Sequence, residues 1–221
     1  MLKTGLRGLI PMLLLVAGCA GDPWEKVPEF ERLDFTCPVA GGKFLEDANF
    51  VSAWSLLGPV DSGETPSIHT EYLPDEAVLN GNRNAPKGLR WQRITARNTN
   101  VDAVPGQVDF SSAFRRHPRG GGRKVFYACA TLKCDRDYHG MIMHVGSCGQ
   151  IKVWINGRAV YSCEKGSAVL KPDTAGIGEL AFREGCNRIV VKYLDDGKEA
   201  EMRRKFSLRF TDAVGALSVV R

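Results

Sequence analysis

The sequence predicts an all-β chain, an antiparallel β-sandwich of the jelly-roll type with about ten short strands. Three observations carry this. Short alternating or apolar runs recur between turn residues, few windows hold a helical period, and Asn156-Gly157 sits between two alternating runs as a two-residue hairpin turn.

The strand windows are Val51–Leu57, Gly88–Ile94, Gln107–Phe110, Lys124–Leu132, Gly140–Val145, Gln150–Ile155, Arg158–Ser162, Gly178–Phe182, Asn187–Tyr193 and Phe206–Phe210. Glu71–Leu79 and Gly197–Arg204 read as short helical turns. No internal repeat or low-complexity tract interrupts the pattern.

The hairpin fixes a register. Asn-Gly supplies both positive-φ positions of a type I′ turn, so Ile155 is expected opposite Arg158, Val153 opposite Val160 and Gln150 opposite Cys163. Ile151, Val153, Ile155 and Val160 then face the core, and Lys152, Trp154 and Tyr161 face outward. An outward Trp beside a Tyr reads either as a stacking platform for a sugar or a partner side chain, or as a surface that another segment covers. Trp154, Tyr161 and Lys152, with Trp91, are the candidate ligand-binding residues.

The first residues carry a separate message. Lys3 and Arg7 precede a short apolar run broken by Pro11, and Leu15-Val16-Ala17-Gly18-Cys19 follows. This resembles a bacterial lipoprotein signal with a lipobox, which implies cleavage after residue 18 and acylation of Cys19. The apolar run is too short for a membrane-spanning helix. Two or more acyl chains would hold the mature chain on a membrane without crossing it. Residues 1–18 are thus the signal peptide, 19–43 a tether marked by Pro23, Pro28, Pro38 and a Gly41-Gly42 pair, 44–212 the sandwich and 213–221 a tail. Ala20 after the acylated cysteine, where Asp would favour inner-membrane retention, points to the outer membrane of the cell envelope.

The chain carries a net charge of +5, of which the leader contributes two positive residues. That mild, mixed excess argues against nucleic acid. Arg115, Arg116, Arg119, Arg123 and Lys124 fall within ten residues and read as a basic loop between strands. Beyond Cys19, six cysteines remain (Cys37, Cys129, Cys134, Cys148, Cys163 and Cys186). An exported chain permits disulfides, with 15 connectivities for six thiols. Cys129 and Cys134 differ by an odd number of positions on one strand and point to opposite faces, so they are not partners. Cys148 lies diagonal to Cys163 across the hairpin, and a Cys148–Cys163 disulfide is expected. Cysteine spacing lacks the paired knuckles of a zinc site, and no metal or other cofactor is expected.

A longer ordered series carries a family resemblance. Phe126-Tyr127-Ala128-x-Ala130-Thr131, Gly146-Ser147, Ile151-Lys152-Val153-Trp154-Ile155-Asn156-Gly157-Arg158, Leu180-x-x-Arg183-Glu184-Gly185-Cys186-Asn187-Arg188-Ile189-Val190-Val191-Lys192 and Phe206-Ser207-Leu208-Arg209-Phe210 follow in sequence. Together they resemble the galactose-binding-domain-like jelly rolls of bacterial surface proteins, carbohydrate-binding modules and accessory domains of β-galactosidase-type glycosidases. Trp54–Val60 is similar to the opening strand of that pattern, and Trp91 to Phe110 to the segment before the Tyr-Ala strand. The resemblance spans Phe50 to Asp212. It implies a sandwich that binds carbohydrate through rim loops. Gly146-Ser147-Cys148-Gly149 stands where such domains often carry an acidic pair, so no role of that pair carries over.

Signatures of catalysis are missing: no His-Glu-x-x-His, no Gly-x-Ser-x-Gly, no phosphate-binding loop and no dinucleotide glycine pattern. The resulting expectation is a non-enzymatic lipoprotein that binds carbohydrate or envelope glycan. A module that docks onto another envelope protein is the second reading. A glycosidase accessory or hydrolase, using carboxylates among Asp135, Asp137, Glu179 and Glu184, is the third.

Overall fold

A computed structural model describes residues 50–51, 53–81, 83–95, 106–114, 123–134, 136–195 and 204–211, all within the larger of two units, Arg32–Arg221. The expected signal peptide, the lipidated Cys19, the tether, Cys37, most of the basic loop, Asp135, the turn at 197–203 and the tail lie outside the described residues.

Among the described residues, ten strands form two antiparallel sheets. They are β1 (Ala53–Asp61), β2 (Gln92–Thr95), β3 (Val108–Asp109), β4 (Lys124–Cys134), β5 (Tyr138–Ser147), β6 (Gln150–Ile155), β7 (Arg158–Cys163), β8 (Ala175–Phe182), β9 (Gly185–Leu194) and β10 (Lys205–Thr211). Every strand window read from the sequence contains or overlaps one of them. The six-stranded sheet has the order β2-β1-β4-β9-β6-β7 and the four-stranded sheet β3-β10-β5-β8. One helical turn, α1 (Phe110–Ala113), replaces the end of the expected strand at Phe110. Asp109 explains it, since its carboxylate accepts from the backbone N–H groups of Ser111 and Ser112 and so caps the turn.

The core lies between the sheets. Trp54 and Leu56 of β1, Phe126, Ala128 and Ala130 of β4, Ile151, Val153 and Ile155 of β6, and Ile189, Val191 and Tyr193 of β9 meet Met141, Met143 and Val145 of β5 and Phe206, Leu208 and Phe210 of β10. Phe110 stacks on Phe126 with ring centroids 4.9 Å apart, closing the end of the core near α1.

A second apolar layer covers the outer face of the six-stranded sheet. There Leu57, Val125, Tyr127 and Leu194 pack under Ile68 and Leu73. Cys129, Trp154 and Val190 pack under Ala77, Leu79 and Trp91. The segment between β1 and β2, which includes a 3-10 turn at Glu76–Val78, therefore acts as a cover. This explains why Arg188–Leu194 shows poor alternation, because a strand covered on both faces has no polar side.

Candidate functional site

The site is built on β6 and its neighbours. The Asn156-Gly157 turn forms as expected, with φ of 51° and 82°, and Ile155 stands opposite Arg158. Further along, the register departs from expectation. Trp154 pairs with Ala159 and Val153 with Tyr161, so Val160 is the extra residue of a bulge. The bulge reverses the alternation of β7. Tyr161 consequently packs against the main core, and burial together with its hydrogen bond to Cys163 pushes its phenol up to about 12. Tyr161 is thus removed from the expected outward platform.

The same shift corrects the expected disulfide. Cys163 faces Ile151 rather than Gln150 and packs toward the core. Cys148 and Cys163 are both thiols, and no disulfide joins any of the described cysteines. Cys129 and Cys134 do lie on opposite faces, one beneath the cover and one against the core.

Trp154 and Lys152 face outward as expected, yet Trp154 is only 5% exposed because the cover closes over it. Half-buried Trp91 packs against the same cluster. The Lys152 ammonium lies 4.9 Å from the centre of the Trp154 ring, a cation–π distance. The structure therefore unites Trp154, Lys152 and Trp91 and separates Tyr161 from them.

Beneath the cover lies a polar group that sequence reasoning did not single out. Lys192, fully buried, pairs with Glu76 at 2.5 Å and donates to the Thr70 carbonyl at 2.8 Å. Tyr127 donates to the other Glu76 oxygen at 2.7 Å. Burial lowers the Lys192 ammonium from its ordinary value, opposed by the bond to Glu76 and its charge. Burial, then the bond to Glu76, raises the Tyr127 phenol. Lys192 also approaches the rings of Tyr72 and Trp154, at 5.4 and 5.6 Å. The available signal was a lysine inside the poorly alternating β9 run. Its partner, 116 positions away, left none.

On the β7 side of this face stand two small exposed side chains. Ala159 stands opposite Trp154 and Ser162 opposite Lys152, and both are exposed. They form a shallow shelf along the flank of the Lys152–Trp154 pair.

The other candidate groups are dispersed. Asp137 accepts from the Glu184 backbone N–H at 2.7 Å, and Asp137, Glu179 and Glu184 are exposed. His144 meets Thr211 Oγ1 at 2.9 Å on the outer face of the other sheet, while His139 is exposed. No three His, Cys, Asp or Glu side chains among the described residues are grouped to hold a metal.

No family model and no curated protein sequence matches this chain. Among solved structures, it is similar to a β-glucosidase from Kluyveromyces marxianus in complex with glucose, at 9% identity and a TM-score of 0.39, covering 74% of this chain and 17% of that one. It is also similar to a β-glucuronidase from Ruminococcus gnavus in complex with N1-substituted uronic isofagomine, at 18% identity and a TM-score of 0.38, covering 65% of this chain and 21% of that one. The chain thus spans about a fifth of the length of these two enzymes.

Proposed function

We propose that the chain is a non-catalytic, lipid-anchored module of the cell envelope that binds carbohydrate along the β6–β7 edge of its six-stranded sheet. One observation carries the reading: Lys152 rests on Trp154 beside a shelf formed by the small side chains of Ala159 and Ser162. An indole offers its apolar face to a sugar ring, and a neighbouring ammonium donates to sugar oxygens. The Cys19 acyl group and the residues after it hold the module at the outer membrane. Binding to a glycan array tests the proposal, because Ser162→Tyr fills the shelf without touching the core. Loss of binding in Ser162→Tyr with retention in Ser162→Ala is expected. Equal binding by all three proteins overturns the assignment of the site.

A second reading rests on the open edge of β7, which pairs with β6 alone among the described strands. Such an edge accepts a strand from another protein. Co-purification of one envelope protein, with no glycan bound at any concentration, favours that reading over the first.

A further inference from the structure

On the glycan-binding reading, we infer that the ligand of the β6–β7 shelf is anionic, a glycan carrying carboxylate or sulfate groups that Lys152 neutralises. The six-stranded sheet holds an unfavourable cross-strand pair. Lys152 and Lys192 stand directly opposite each other on β6 and β9, and like charges in that relation are unfavourable. Glu76 and the Thr70 carbonyl satisfy Lys192. Among the described residues, no carboxylate forms an ion pair with Lys152.

Two exposed acids, Glu71 on the cover and Glu164 just after β7, have partners of their own. Glu71 accepts from the Asp75 N–H at 3.0 Å, and Glu164 meets His69 at 3.0 Å. Lys152 is left with the electron-rich face of Trp154 as its partner. A fold that sets a second cation beside a buried, already paired one breaks a local rule, and such breaks concentrate where function requires them.

Binding then reads as an exchange. The sugar ring takes the indole face that Lys152 occupies, and the ammonium moves outward over Ser162 to meet the anionic oxygen of the same or the next residue. The lost cation–π contact is replaced by a charge-assisted hydrogen bond, which is the stronger of the two where water is partly excluded. Neutral sugars offer no such replacement.

Polygalacturonate and its fully methyl-esterified form share a backbone and differ in charge. Together with a sulfated galactan and a neutral galactan they separate the possibilities for the lipid-free chain. Binding to polygalacturonate, to the sulfated galactan or to both is expected, weakening with added salt. The ester and the neutral galactan should bind at least about tenfold more weakly, the usual worth of a charged hydrogen bond. Lys152→Ala should lose that tenfold preference, Lys152→Arg should keep it, and both should retain the thermal transition of the parent. Carboxylate-only or sulfate-only binding identifies the anionic group. Equal affinity for charged and neutral glycans, unchanged in Lys152→Ala, overturns the inference and leaves the glycan-binding reading standing. Failure to bind any of the four probes or any glycan on the array overturns both.

Discussion

Lys192 Nζ and Glu76 Oε1 meet at 2.5 Å between the six-stranded sheet and the segment that covers it. Both side chains are withdrawn from water, and the pair pins the 3-10 turn to β9. Breaking a buried pair strands a charge, so Glu76→Gln or Lys192→Met alone should each cost about 3–5 kcal/mol of stability. The double variant Glu76→Gln/Lys192→Met should lose much less than the sum, since no bare charge remains and the amide still accepts from Tyr127. Urea unfolding of the three variants checks this. Additive losses would show that the two groups do not interact.

Asn187, fully buried, ties the hairpin tip to the turn between β8 and β9. Its Oδ1 accepts from Asn156 Nδ2 at 2.8 Å and from the Arg183 N–H at 3.0 Å, and its Nδ2 donates to the Arg183 carbonyl at 2.7 Å. Asn187→Ala leaves those partners stranded and should destabilise the fold by roughly 1–3 kcal/mol per buried group left unpaired. Asn187→Asp keeps the acceptor but sets a carboxylate oxygen against the Arg183 carbonyl in a site closed to water, so it should lose at least as much at neutral pH and recover part of the loss as the pH falls. Thermal unfolding of both variants decides it.

Cys129 lies beneath the cover, and burial pushes its thiol up to about 12. The folded state therefore holds its proton where an unfolded thiol would release it, and stability falls as the pH rises from about 9 toward 12. Cys129 should resist alkylation at pH 8.5 while exposed Cys186 reacts. Mass spectrometry of the labelled native chain would contradict this if Cys129 were modified as fast as Cys186.

His144 behaves in the opposite sense. Burial and the Arg209 charge hold its imidazole below the ordinary value, against the pull of Asp173. The fold prefers the neutral ring, so this stability is fully present above the unfolded value of about 6.5 and is lost as the pH falls below it. His144→Gln, which keeps a partner for Thr211, should flatten that acid-side decline. An unchanged pH profile would remove His144 from the account.

The strands were legible because both sheets send one side into a shared core, which writes alternation and turn residues into the sequence. The hairpin turn at Asn156-Gly157 was legible for the same local reason. The bulge at Val160 was not. It arises because the Tyr161 ring gains a place against the core, a tertiary advantage that two-residue turn rules do not contain. The burial of Trp154 was foreseen as one of two outcomes. The choice depended on the Ser62–Trp91 segment folding back over the sheet, and its pinning pair joins residues 116 positions apart. Lys152 and Trp154 kept their outward side because they lie before the bulge, and Tyr161 and Cys163 lost theirs because they lie after it.

The account turns on the shelf beside Trp154 and Lys152 being where ligand is taken up. Backbone and indole NMR shifts of the lipid-free chain, followed during titration with oligogalacturonate, test it most directly. The predicted result is saturable movement of Lys152, Ala159, Ser162 and the Trp154 indole, with Arg209 and His144 on the opposite sheet unmoved. Shifts confined to Arg209, His144 and their neighbours, with the Trp154 indole still, would contradict it.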